Sequence, residues 1–273
     1  MSDDARQTLG TAPAKVAAVT LGFWIAKVAA TTLGETGGDW VTMSLNLGYL
    51  VGTGIFAALF VALVWLQVRA SRFHPALYWA TIVATTTLGT TMADFFDRSV
   101  GVQYPGGSAI IAALLAASLF VWYRVEGTVS IRSITTPRAE WFYWCTILFS
   151  QTLGTALGDW TADDDRGGLA LGYAHAALIF GGALAVIAVL WFRTRLSRTA
   201  LFWAAFVLTR PLGATLGDTL TKPFKQGGLN LDRFAATFSI AAVMVVIIVL
   251  TSQVGKGSTF TVLLPCLDMP SEG

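Results

Sequence analysis

Residues 23–40 read FWIAKVAATTLGETGGDW, and the phrase returns as YWATIVATTTLGTTMADF at 78–95, YWCTILFSQTLGTALGDW at 143–160 and FWAAFVLTRPLGATLGDT at 202–219. In every copy an aromatic pair ends in Trp (Trp24, Trp79, Trp144, Trp203). Leu-Gly follows nine and ten residues later, and an acid (Asp39, Asp94, Asp159, Asp218) stands fifteen residues after the Trp. A unit that recurs every 55 to 65 residues with its internal spacing intact is a tandem repeat, and it must be read before any single element.

The chain around these copies is 55% hydrophobic and only 12% charged, with a mean hydropathy of +0.64. Soluble domains carry about 25% charged residues, so a membrane protein is expected. Eight apolar segments run near 16–37, 47–68, 75–96, 106–123, 141–161, 169–191, 199–219 and 230–251. Each is long enough, at about 1.5 Å per residue, to cross a hydrocarbon core of about 30 Å. Two segments per copy predict an all-α polytopic fold: eight transmembrane helices, arranged as four tandem parallel helical hairpins around a pseudo-symmetry axis normal to the membrane. The repeats are then 16–68, 75–123, 141–191 and 199–251 within a single transmembrane domain over 16–252. A polar N-terminal segment over 1–15 and a tail over 253–273 flank it. The 17 residues from Arg124 to Glu140 are the one candidate internal boundary.

Eleven Lys and Arg fall on the side shared by the N-terminus and the even-to-odd connections, against five on the other side (Arg98, Arg166, Lys222, Lys225, Arg233). The positive-inside rule then sets both termini in the cytoplasm. Ten of the sixteen acids lie at or beyond the far ends of the odd spans, including Asp163, Asp164 and Asp165, so the outward mouth is expected to be electronegative. The N-terminus, MSDDARQTLGTAPAK, has two acids and no n-region followed by an h-region, so the first span itself is expected to direct insertion. Two cysteines, Cys145 and Cys266, offer neither a disulfide framework nor a thiolate metal cluster.

Counted from each Trp at 100° per residue, positions +4, +7, +11 and +15 share one helical face. That face holds Thr31, Glu35 and Asp39 in the first copy, and Thr86, Thr90 and Asp94 in the second. The third contributes Gln151, Thr155 and Asp159, and the fourth Arg210, Ala214 and Asp218. Lipid cannot satisfy such groups, so the four polar stripes are expected to face one another or an aqueous cavity. Lys27 and Arg210 are cations inside spans and need an acid or water; Glu35, Asp39 and Asp218 are candidate partners, and Lys27 with Glu35 is the candidate pair for a proton-coupled step. The glycines of Leu-Gly and Gly-Asp either unwind a helix or let another backbone approach, and Pro211 removes a helical hydrogen bond in the fourth copy. Gly48, Gly52, Gly54, Gly181 and Gly182 suit close packing of the even spans. The Trp residues read equally as interfacial anchors, and His175 as a hydrogen-bonded packing residue more readily than as a metal ligand.

Four tandem two-span copies, each with its Trp, Leu-Gly and Asp, resemble a family of bacterial integral membrane proteins defined by a four-fold repeat of unknown function. The resemblance covers about 17–253; it implies an eight-span bacterial inner-membrane protein and brings no activity. The FW…TTLG…GD pattern is also similar to the pore helix and filter of potassium channels, although two more residues separate Gly from Asp here. In the tail, GKGSTFTVLLP (255–265) resembles the closing segment of histidine-kinase ATPase domains without the rest of such a domain.

The expected function is transport of a cation through a central site of Glu35, Asp39, Thr86, Thr90, Asp94, Gln151, Thr155, Asp159 and Asp218, with Lys27, Arg210 and Glu35 coupling charge or protons. Glu35, Asp39, Asp94, Asp159 and Asp218 supply hard oxygen ligands that favour a divalent ion such as Mg²⁺ or Mn²⁺. A pseudo-tetrameric cation channel and a membrane scaffold or sensor are the alternatives. No Ser-His, Cys-His or HExxH arrangement supports an enzyme, and neither a cofactor nor a nucleic-acid partner is expected.

Overall fold

The computed structural model describes residues 16–253 apart from 165. The N-terminal segment, Asp165, and the tail with its GKGSTFTVLLP stretch and Cys266 lie outside the described residues. Eight long helices follow one another: α1 Leu21–Asp39, α2 Gly48–Arg69, α3 Pro75–Asp94, α4 Tyr104–Glu126, α5 Pro137–Ala162, α6 Tyr173–Arg193, α7 Arg198–Thr221 and α8 Arg233–Gln253. Their starts follow the chemistry of helix ends. Thr20, Thr136 and Ser197 accept the backbone N–H three residues on, and Pro75 and Pro137 open α3 and α5 where no donor is needed. Short π turns, Trp40–Ser44 and Phe95–Val100, prolong α1 and α3.

The odd helices make an inner ring in which α1 packs on α3, α3 on α5, α5 on α7 and α7 back on α1. The even helices lie outside. Each leans on the odd helix of the following repeat, α2 on α3, α4 on α5 and α6 on α7, and α8 closes the circle on α1. Hairpins packed within a repeat are therefore not what forms. The cause lies in the connections: Trp40–Ser44 and the LNL segment after it carry the chain sideways before α2 begins.

Those connections explain a phrase that recurs before the even helices, LNLGY at 45–49, LALGY at 169–173 and LNLDR at 229–233. A helix leaves its last carbonyls without partners. Leu169 N–H and Leu171 N–H donate to the Trp160 and Thr161 carbonyls at the end of α5, and Leu229 N–H and Leu231 N–H do the same for Thr219 and Leu220 at the end of α7. The middle residue turns left-handed to allow this: Asn46 at φ 55°, Ala170 at φ 58° and Asn230 at φ 53°. Asn accepts that conformation more readily than Ala.

Among the described residues five helices, α2, α4, α6, α7 and α8, are long and apolar enough to cross a membrane. In each of the four even helices at most 22% of the apolar window is buried, against 67% in α7, so the even helices present a nearly continuous apolar outer surface. The inner helices α1, α3 and α5 fall short in hydropathy because Thr, Gly and acids line their buried faces. The link between the halves is docked rather than free: Ile134 is fully buried, and Trp203 Nε1 donates to the Val129 carbonyl at 3.0 Å.

Candidate functional site

Corresponding positions of the four inner helices meet at the same level and form layers along the ring. The first layer is aromatic. Phe23 meets Trp79, Tyr78 meets Trp144, Tyr143 meets Trp203 and Phe202 meets Trp24, with ring centroids 5.7, 5.7, 6.4 and 5.8 Å apart. The residue before each Trp thus touches the Trp of the next copy, and the last closes on the first. The Tyr78 and Tyr143 hydroxyls share a 2.8 Å hydrogen bond. These tryptophans are the packed end of the ring; Trp79, Trp144 and Trp203 are buried and do not serve as a peripheral belt.

One turn on, Lys27 shares the interior with Phe206, its ammonium 4.3 Å from the ring centroid, and with the buried Ile82 and Ile147. Lys27 is fully buried and Nζ has no hydrogen-bond partner. Glu35 does not pair with it.

The next two layers belong to Arg210, which is 0% exposed. Its Nη1 donates to the Thr31 carbonyl at 3.1 Å. Its Nη2 donates to Glu35 Oε2 at 2.9 Å, to Thr155 Oγ1 at 2.6 Å, to Thr90 Oγ1 and to the Thr86 carbonyl at 3.4 Å. One guanidinium therefore ties all four inner helices together and fills the axis. Thr86 Oγ1 donates to the Ala30 carbonyl and Thr31 Oγ1 to the Thr209 carbonyl, each at 3.2 Å, so the threonines at +7 bond the preceding copy. Gln151 occupies the same level with both amide atoms unpartnered.

The repeated glycines account for this closeness. A Cβ on Gly34 would overlap Thr86, one on Gly89 would meet the Gln151 backbone, one on Gly154 would overlap Arg210, and one on Gly213 would overlap Thr31. In each case the +10 glycine receives the +7 residue of the next copy. The helices run unbroken through Leu-Gly and through Pro211, so these glycines are contact points and not places of unwinding. Of the glycines expected to pack the even spans, Gly52 meets Thr42, Gly181 just reaches Leu212, and Gly48, Gly54 and Gly182 face open space. The potassium-channel likeness ends here as well, because Thr31–Asp39 is helical and the axis is occupied.

The last layer is the acid ring. Asp39, Asp94, Asp159 and Asp218 are each at most 3% exposed and stand at the C-terminal ends of four helices, where the backbone dipole disfavours negative charge. Two cations compensate. Arg98 Nε lies 2.5 Å from Asp94 and Nη2 lies 3.9 Å from Asp159, while Lys222 Nζ lies 3.3 Å from Asp218 and 3.4 Å from Asp39. Arg233 Nε adds a contact to Asp39 at 3.8 Å. Burial opposes the charge of Lys222, but the Asp218 and Asp39 carboxylates outweigh it and hold the ammonium well above the usual lysine range. Sequence reasoning placed Arg98 and Lys222 among loop charges. The signal that finds them is spacing: each stands four residues after a ring acid, one helical turn.

Among the described residues no three His, Cys, Asp or Glu are gathered so as to hold a metal ion. Of the five acids expected to ligate a divalent ion, the four aspartates are spread around the ring beside Arg98, Lys222 and Arg233, and Glu35 lies in the layer of Arg210, paired with its guanidinium. His175 is exposed and its Nδ1 lies 3.1 Å from the Leu171 carbonyl, away from this stack.

The family described as Repeat of Unknown Function (DUF347) matches residues 22–73, 77–128, 142–197 and 201–256. The chain belongs to that family. Each DUF347 match spans one inner helix and the outer helix that follows it, so the family unit is a covalent pair whose members pack on different neighbours. No curated protein and no solved structure matches the chain.

Proposed function

We propose that this DUF347 chain is a cation transporter of eight membrane-spanning helices, its four repeats set about an axis normal to a bacterial inner membrane, with both termini cytoplasmic. The observation that carries the reading is the convergence of one buried acid from each inner helix at one end of the ring. Structure alone gives little reason for it, since apolar residues of similar volume commonly serve stability as well as buried ion pairs do. Charge retained in such a place supports a role for charge.

The aromatic layer and Arg210 close the axis, which favours exchange between closed states over an open pore. In this reading the acid ring faces outward, Arg210–Glu35 is the internal lock, and unpartnered Lys27 exchanges the coupling proton. Ion flux in proteoliposomes tests it, with Na⁺, K⁺, ammonium, Mg²⁺ and Mn²⁺ each offered under an imposed pH gradient. Native protein should move one of these ions, and Asp39→Asn and Asp159→Asn should reduce that flux about tenfold or more. Equal flux in native and variant vesicles removes transport. A second reading, a non-transporting scaffold or sensor, is favoured by the packed axis and would be what remains.

A further inference from the structure

The acid ring has two unlike halves. In one, Arg98 holds Asp94 at 2.5 Å and reaches Asp159 at 3.9 Å, through a group that stays protonated. In the other, a lysine ammonium sits at 3.3 and 3.4 Å between Asp218 and Asp39, looser and nearly symmetric. Lys222 follows the end of α7, and its backbone is pinned: its N–H donates to the Asp218 carbonyl and its carbonyl accepts from Asn230. Its ammonium hangs from a flexible four-carbon stem. The half-site it occupies is built for a cation. Asp39 and Asp218 are each 1% exposed, Asp218 Oδ1 and Asp39 Oδ2 face the ammonium, Asp39 Oδ1 lacks a hydrogen-bond partner, and the Tyr173 ring centroid lies 5.9 Å from the ammonium.

From this geometry we infer that the Asp39–Asp218 half-site binds a monovalent cation of the ammonium class, and that Lys222 is a tethered occupant which the incoming cation replaces. Charge decides for a monovalent ion. Withdrawing Lys222 removes one positive charge, and one monovalent cation restores the balance, whereas a divalent ion beside Arg233 would overshoot it. Coordination points the same way. Two carboxylates fall well short of the about six oxygens that Mg²⁺ or Ca²⁺ requires, while an aromatic face within about 6 Å attracts an ammonium group. Lys222 thus acts as a competitor that keeps the acids neutralised between binding events.

The inference names the cation class for the transport reading and rests on it for the cation's passage, but its test is binding, so the two fail separately. Methylammonium, K⁺ and Mg²⁺ are titrated calorimetrically into the purified full chain. Native protein should bind methylammonium weakly, and Lys222→Gln should bind it about tenfold or more tightly, with no such gain for Mg²⁺. Asp39→Asn in the Lys222→Gln background should abolish the gain, and Arg98→Gln alone should not produce it. Lys222→Arg keeps the charge needed for folding but supplies a fork that is not displaced, so it should bind methylammonium more weakly than native. The inference is overturned by an unchanged affinity in Lys222→Gln, by an equal gain for Mg²⁺, or by Lys222→Arg binding as native does. Binding without flux would overturn transport and leave the half-site standing.

Discussion

Arg210 is fully buried, and its five acceptors come from the three helices around it. Removing one member of such a buried pair leaves the other uncompensated, typically at about 3–5 kcal/mol. Arg210→Met should therefore lower the thermal midpoint of the purified protein sharply, through the isolated Glu35. Arg210→Met combined with Glu35→Gln should recover most of the loss, a coupling read from the double-mutant cycle. Full additivity of the two substitutions would mean that the pair is not the lock. Asp97 gives the residue scale a pH dependence. It is 1% exposed, and neither carboxylate oxygen has a hydrogen-bond partner. Burial and the neighbouring Asp94 raise its pKa to about 7 against the opposing pull of Arg98 and Arg166. The unfolded chain releases this proton near pH 4, so the folded state holds more protons between there and 7 and loses stability as pH rises through that window. Asp97→Asn should remove the loss, gaining on the order of 1–2 kcal/mol at pH 8 and little at pH 4. Melting curves of both proteins across that range check it.

For the elements, the decisive variable is how closely two helices approach. Gly213 receives Thr31 so tightly that any Cβ overlaps it, whereas Gly54 on an outer helix meets nothing. Gly213→Ala should cost about 1–3 kcal/mol through overpacking, and Gly54→Ala should be neutral or mildly stabilising through helix propensity. Equal effects at the two positions would contradict the inner and outer assignment of the helices. The caps make a complementary prediction. Ala170 holds the left-handed conformation for which the equivalent positions use Asn46 and Asn230, so Ala170→Asn should raise stability by about 0.5–1 kcal/mol. Much of this level was legible in the sequence. The Trp to Leu-Gly to Asp spacing marked the inner helices and their polar face, because a period of 3.6 turns spacing into position. What it did not carry was the partner of each even helix. Sides that face outward and sides that face a neighbour are both apolar there, and spacing alone does not separate them. Arg98 and Lys222 stood in plain view, but a cation after a span end reads as hydrated loop charge until the fold bends it back over the acids.

The whole molecule is a circle cut once. Every inner helix is flanked by two inner neighbours and covered by an outer helix from the preceding repeat, and α8 does for α1 what α2 does for α3. The fourfold plan is obeyed by packing and broken by charge: glycine contacts and aromatic contacts recur in all four copies, whereas the cations that contact the ring acids among the described residues, Arg98, Lys222 and Arg233, follow the second and fourth acids. Packing thus makes the ring, and two departures from the repeat make two kinds of half-site within it. Because closure depends on contact rather than chain order, the cut should be movable. Val16 and Ala17 pack against the same aromatic-end core as Ile247 and Ile248, so the two ends of the described chain lie at one end of the ring. A permutant that joins residue 253 to residue 16 through a flexible linker and opens at the exposed 194–197 connection should fold to a monodisperse particle with a midpoint within a few degrees of native. Ending the chain at residue 228 should not. That truncation removes α8, strips the Phe234 and Phe238 rings from Trp40 and takes Arg233 from Asp39, leaving the outer face of α1 uncovered. Size-exclusion profiles of the two proteins decide the matter: a well-behaved truncation alongside an aggregated permutant would mean that α8 is an appendage and the circle does not close through it.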